Sequence, residues 1–291
     1  VSEMNQPAPS LAPIVVGVDG SAEALHAVRW AARAAVRRQL PLELVHATAF
    51  PDVTAGGIVP LPDEMKETLR RRGRHHLRAA QELANAAGAL EIRERLDPDR
   101  AAPALLDLAG SASCVAVGGS FHGRFAALLT GSVSSALASH APCPVAVVQG
   151  VSWDEPDAAR PVLTGIDGGP ASAAVAEAAF AEASTLKAPL VVFHATHDGE
   201  LTGSEAGEAP PLDEYLTASS LRYPNVHVDQ VLASGRPRHE LLTRSQDAQL
   251  VVVGSRGRGG FPGLLLGSTG QALLHYAACP VLIVRPHPAT G

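Results

Sequence analysis

The chain repeats itself, and that restricts its architecture more than any other feature. Residues 14–20 read IVVGVDG and residues 162–168 read VLTGIDG, which aligns Asp19 with Asp167 at a spacing of 148. LELVHA (42–47) and LVVFHA (190–195) keep that spacing. VAVGGSFHGRFAALLTGSVSSAL (115–137) then matches VVVGSRGRGGFPGLLLGSTGQAL (251–273), and APCPVAVV (141–148) matches AACPVLIV (277–284), now at 136. Four blocks in one order mark a duplication. The spacing shrinks because the second copy is shorter in its middle: PDE (62–64) and LDE (212–214) still correspond, whereas the helical stretch ETLRRRGRHHLRAAQELANAAGA (67–89) belongs to the first copy alone. The expected organisation is a disordered tail over 1–12, one domain over 13–149, a polar Pro-containing linker over 150–160 and a second domain over 161–287.

Each copy alternates short apolar runs with helical patterns. IVVGV, LELV, VAV and PVAVV are runs suited to strands buried on both faces of a parallel sheet. Between the first two, SAEALHAVRWAARAAVRR (21–38) places Leu25, Val28, Ala32 and Ala35 on one helical stripe. Charged third strands, near Glu91–Leu96 and His227–Leu232, suit sheet edges. The predicted fold class is α/β: two tandem doubly wound, Rossmann-like parallel sheets with helices on both faces. Aromatic residues make up only 4% of a chain that is 46% hydrophobic, so the cores must be built from Ala, Val and Leu.

In such sheets ligands sit at strand carboxyl ends, beside the topological switch point. Asp19, Asp167 and a Gly-rich loop all fall there. In the second copy LVVV (250–253) runs into Gly254, Arg256, Gly257, Arg258, Gly259 and Gly260, then through Phe261–Leu266 to Gly267, Ser268 and Thr269. Glycines there let backbone N–H groups approach an anion without a Cβ in the way. Ser268 is expected as the N-cap of the next helix, whose amides and dipole would face a phosphate, with Arg256 and Arg258 as countercharge. Each feature alone also has a plainer reading, a tight turn or a simple cap; their combination with an Asp on another strand end favours a binding site. There is no Gly-Lys-Ser/Thr phosphate loop, and the first strand ends in Val-Asp-Gly rather than a dinucleotide fingerprint.

These residues resemble the universal stress protein family in its tandem two-domain form. Gly254-x2-Gly257-x9-Gly267-Ser268 matches that family's nucleotide loop in full. The resemblance implies five-stranded sheets of order 3-2-1-4-5, pairing through the last strands (PVAVV and PVLIV), and ATP as ligand, with or without Mg2+. It carries Asp167 to the adenosine contact, with Gly165 beside it, Ala195 to the adenine pocket, and Ser268 and Thr269 to the phosphates. Val253 and Gly270 flank this set. The first copy retains Gly17, Asp19, Ala47, Gly118, Gly131, Ser132, Val133 and Ser134, but Phe121 stands where the second copy has Gly257, and Gly123 is the nearest glycine to rescue the turn. Gly235-Arg236-Pro237 is likewise matched by Asp99-Arg100-Ala101, adding a carboxylate that would repel phosphate. A weaker first-half site is the expectation.

Other chemistry is less well supplied. His194-x-x-His197-Asp198 invites a metal reading, but His46, the repeat mate of His194, is followed by Thr48 and Ala49. No metal site is expected. Cys143 and Cys279 precede prolines at the entry to the last strands, and Cys114 falls in the fourth; all three read as small buried hydrophobes. No nucleophile elbow with a partner His and acid is evident. The basic run Arg70–Arg78 reads as a solvated helix face or as a surface for an acidic partner.

The first 150 residues carry 14 basic and 14 acidic side chains, so the net charge of −6 belongs to the remainder, with 9 and 15. Nucleic acid is therefore not an expected partner. Neither a signal-peptide pattern nor a membrane-length apolar run occurs, which points to a soluble cytoplasmic protein. Three functional readings follow. The first is an ATP-binding regulatory protein, homodimeric or paired within the chain, acting on an unknown protein partner in stress or growth arrest, with stress implied by the resemblance alone. The second is a slow ATPase or adenylyl-transferring enzyme, the third a nucleotide-free dimeric module.

Overall fold

The computed structural model describes residues 11–48, 62–119, 132–149, 159–196, 212–234, 237–257 and 266–285. The first half runs β1 (Ile14–Gly17), α1 (Ala22–Arg38), β2 (Leu42–Ala47), α2 (Asp63–Ala86), β3 (Ile92–Asp97), α3 (Ala101–Ala109), β4 (Cys114–Gly118), α4 (Ser132–His140) and β5 (Val145–Val148). The second runs β6 (Val162–Gly165), α5 (Ser172–Leu186), β7 (Leu190–Thr196), α6 (Leu212–Arg222), β8 (Val228–Ser234), α7 (Pro237–Arg244), β9 (Leu250–Gly254), α8 (Ser268–Tyr276) and β10 (Val281–Val284). The residue deficit of the second half is localised here: α2 has 24 residues and α6 has 11.

Within each half the five strands are parallel in the order 3-2-1-4-5. The halves then join through their last strands. β5 and β10 pair antiparallel, with Leu282 opposite Ala146, giving one ten-stranded sheet of order β3-β2-β1-β4-β5-β10-β9-β6-β7-β8. The sequence explains the choice of seam. VAVV and VLIV are apolar at every position and fully buried, so leaving either as an edge would expose an aggregation-prone strand. The outer edges are instead IRERLD in β3 and VDQVLAS in β8, whose charges oppose further pairing.

Two helical layers cover the sheet, and each core is continuous across both halves. One contains α1, α2, α5 and α6, the other α3, α4, α7 and α8. In α1 the buried face comprises Ala24, Ala27, Val28, Ala31, Ala32, Ala34 and Ala35. It is wider than the expected stripe, and Leu25 is only half-buried. Short side chains let α1 lie close to the sheet and against α2 at once. Ser21 starts this helix by accepting the Ala24 amide at 3.1 Å, and Gln39 ends it in the left-handed region (φ 54°). An ion pair crosses the seam on this layer: Arg38 of α1 meets Glu182 of α5, whose side chain is 7% exposed. Among the described residues, no helix is long and apolar enough to cross a membrane.

Candidate nucleotide site at the switch points

Strands β1 and β4 are neighbours in the first half, as β6 and β9 are in the second, with the outgoing connections on opposite faces. A crevice at their carboxyl ends is therefore built into the topology. The two loops at this point in the second half are tightly specified. After β6, Gly168 takes φ +76°, and Asp167 Oδ1 accepts the Gly169 amide at 2.9 Å. Gly20 repeats this at φ +86°, with Asp19 Oδ1 accepting the Ser21 amide at 2.9 Å. The Asp-Gly pair recurs in both copies because the turn needs a left-handed residue behind a carboxylate that closes it.

After β9, Ser255 N donates to the Val284 carbonyl at 2.9 Å, and the Ser255 carbonyl accepts Gly267 N at 2.9 Å. The start and end of the Gly-rich loop are thereby brought together. A Cβ on Gly257 would lie 2.3 Å from Asp167 Oδ2, so the backbone of this loop rests against the carboxylate of the other. Sequence spacing alone places both features at strand ends; this contact brings the loop and the carboxylate together.

Helix α8 begins at Ser268, with Gly267 as the N-cap residue and no side-chain cap. This corrects the expectation that Ser268 caps the helix: Ser268 is its first helical residue. The first intrahelical bond runs from Gln271 N to the Gly267 carbonyl at 2.9 Å. The amides of Ser268, Thr269 and Gly270 precede that bond, at the positive end of the helix dipole. Ser268 is exposed, Thr269 half-buried and Gly270 buried. Arg256 is exposed beside them.

The remaining predicted residues have varied surroundings. Gly165 and Gly17 end β6 and β1 beneath leucines of the following layer: a Cβ on either would come 3.0 Å from Leu241 Cδ1 or Leu105 Cδ1. Gly118 lies against the start of α1, where a Cβ would approach the Glu23 carbonyl carbon to 2.6 Å. Gly254 lies similarly against Ala171 at 3.2 Å. Val253 is buried in β9 opposite Ile283. Ala195 pairs with Ala233 in β7, and Ala47 with Asp97 in β2. Ser132 is exposed at the start of α4, Val133 half-buried and Ser134 buried. Asp99 accepts the Arg100 amide at 2.7 Å before α3. Arg258, Gly259, Gly260, Phe121, Gly123, Gly131, His197, Asp198, Gly235 and Arg236 lie outside the described residues.

His194 and His46 have a structural task. His194 Nδ1 donates to the Ile166 carbonyl at 2.7 Å, and His46 Nδ1 donates to the Val18 carbonyl at 2.6 Å. Each holds the residue before the switch-point Asp, which is why this histidine recurs in the repeat. The halves diverge directly above. In the second, Tyr215 of α6 donates its hydroxyl to the Gly168 carbonyl at 3.1 Å. In the first, His76 of α2 takes that place: a Cβ on Gly20 would meet its ring at 2.6 Å, and it stacks edge-on to His46 with centroids 5.2 Å apart. His76 Nδ1 is buried without a hydrogen-bond partner.

Burial holds the His76 pKa below its ordinary value of 6.5, with His46, Arg72 and His75 adding to the effect and Asp19 opposing it. The folded chain therefore takes up this proton less readily than the unfolded chain, and the stability so gained is full above about pH 6.5 and declines as the pH falls below it. Thermal melts should show His76→Gln removing part of the loss of stability between about pH 6.5 and 5.

The cysteines offer no nucleophile. All three are buried, and burial pushes Cys114 and Cys279 up to about 12 and Cys143 to about 11. Iodoacetamide at pH 8 should leave the native protein unmodified by mass and label three sites in denaturant.

Two doubly wound α/β units, each with an Asp-Gly turn at its switch point and joined through their last strands, define the class of protein. The universal stress protein family model matches residues 11–149 and again 158–285. Universal stress protein Rv2623 of Mycobacterium tuberculosis (strain ATCC 25618 / H37Rv) is 39% identical over 285 residues, covering 94% of this chain and 96% of its own. Universal stress protein Mb2028c of Mycobacterium bovis is 39% identical over 290 residues, covering 94% and 96%. A crystal structure of a universal stress protein from Archaeoglobus fulgidus DSM 4304 matches with a TM-score of 0.71 over 94% of this chain and 96% of that one. At 18% identity that likeness is one of fold. The chain belongs to the universal stress protein family, in tandem form.

Proposed function

We propose that this protein binds ATP at the second-half switch point, and that occupancy regulates its conformation and partner choice. The observation that carries the reading is the approach of Gly257 to Asp167, which joins the loop to the carboxylate. Asp167 would take the ribose hydroxyls. The amides of Ser268 and Thr269 at the head of α8 would take phosphate oxygens, with Arg256 as countercharge. Mg2+, where present, would be held chiefly by the phosphates and would further neutralise them. The first half keeps Asp19 and the head of α4, but Phe121 replaces the close-approach glycine and His76 stands over Gly20. Its site is the weaker one.

Mass spectrometry of ligand released from purified protein tests this reading. Intact ATP at about one equivalent per chain is the expected result. ADP would instead favour slow hydrolysis, and a chain that is empty and binds no added ATP in calorimetry would favour a nucleotide-free interaction module.

A further inference from the structure

The repeat places Gln149 and Arg285 at one equivalent position, directly after the last strand of each half, at the spacing of 136. Both side chains leave their own half. Gln149 Nε2 donates to the Leu273 carbonyl at 3.3 Å and to the Leu274 carbonyl, at the carboxyl end of α8. Arg285 Nη1 donates to the Ser139 carbonyl, at the carboxyl end of α4. Both links cross the β5–β10 seam and end on the last turn of the other half's loop helix, at neighbouring rather than identical positions.

Each crossing residue also directly follows a residue that is bonded to the loop of its own half. Gly119 N donates to the Val148 carbonyl at 2.9 Å, as Ser255 N does to Val284, so each loop is tied to the residue before the crossing side chain. A Cβ on Gly119 would come 2.5 Å from Gln149 Cγ. Arg285 feels the positive charge of Arg256 in the second-half loop. Helices α4 and α8 each follow a loop in the chain and are gripped at their carboxyl ends from across the seam.

We propose that Gln149 and Arg285 are positioning residues that couple the two switch-point sites, each transmitting the state of its own loop to the loop helix of the other half. An anion at Arg256 screens its repulsion of Arg285 and strengthens the Arg285–Ser139 bond, where the helix dipole also favours a cation. The nature of the anion, a nucleotide phosphate, rests on the function proposed above; the link itself does not.

Hydrogen exchange of the full chain, read by mass spectrometry over α4, tests the coupling in two arms. ATP should slow exchange of the last α4 amides by about fivefold, the lower range of allosteric coupling. Arg256→Ala, which removes the same repulsion without any ligand, should slow it comparably. Both effects should vanish in Arg285→Met, and in Arg285→Gln, which installs the residue of the first half and keeps a donor to Ser139. Failure of ATP to bind would overturn the nucleotide reading and leave the Arg256→Ala arm to judge the link. The coupling is wrong if Arg256→Ala leaves α4 exchange unchanged, or if either Arg285 variant responds as the unsubstituted chain does.

Discussion

Gly257→Ala should weaken ATP binding to the second half by about 5- to 150-fold, and Gly257→Phe should abolish it. The added Cβ would stand 2.3 Å from Asp167 Oδ2, nearer than any real contact, so either the carboxylate or the loop must move. Overpacking of this kind costs about 1–3 kcal/mol, which converts to that range of affinity. Phenylalanine adds a ring where the loop lies against Asp167, and it is the residue at the equivalent first-half position, Phe121. Titration calorimetry measures the effect. An unchanged affinity in Gly257→Phe, together with equal filling of both halves in the unsubstituted chain, would overturn the unequal-site reading.

Glu182→Ala should be the most destabilising single change at the seam, lowering stability by about 3–5 kcal/mol. Burial works against the Arg38 charge, and the attraction and hydrogen bond of Glu182 more than offset it. Arg37 stands close by with its Nε buried and without a partner, and burial lowers its pKa against the pull of Glu182. Removing the carboxylate leaves two guanidiniums poorly solvated at the junction of α1 and α5. Replacing both partners, Arg38→Met with Glu182→Leu, should recover most of the loss, since an apolar pair of similar volume needs no desolvation of charge. Denaturant titrations of the three proteins decide the matter; equal stability of Glu182→Ala and the parent would show that the pair contributes nothing.

Much of this molecule was legible before its structure. Strand runs such as IVVG and VAVV, and the charged third strands, point to parallel sheets and to their edges, because burial on two faces demands unbroken apolar residues, while the strand order is implied only by the family resemblance. The Asp-Gly turns were visible for the same kind of reason, a local backbone requirement written into two residues. Helix α8 starts one residue earlier than the sequence suggests, since a serine before an apolar run resembles a cap and only the backbone angles show Gly267 in that role. Gln149 and Arg285 align in the repeat register, yet two side chains with different chemistry form no motif until their shared target is seen. In the sequence His76 is merely part of a basic run, because its place above Gly20 depends on how α2 crosses the sheet.

The sequence by itself determined the duplication, the doubly wound α/β class and the inequality of the two loops, all of which follow from local patterns and from comparison of one half with the other. Only the tertiary structure decided that Asp167 and Gly257 touch, that the halves close into one ten-stranded sheet, and that each half grips the loop helix of the other. Those facts join residues far apart in the chain, and such contacts are set by the packing of strands and helices rather than by any local preference of the residues that make them.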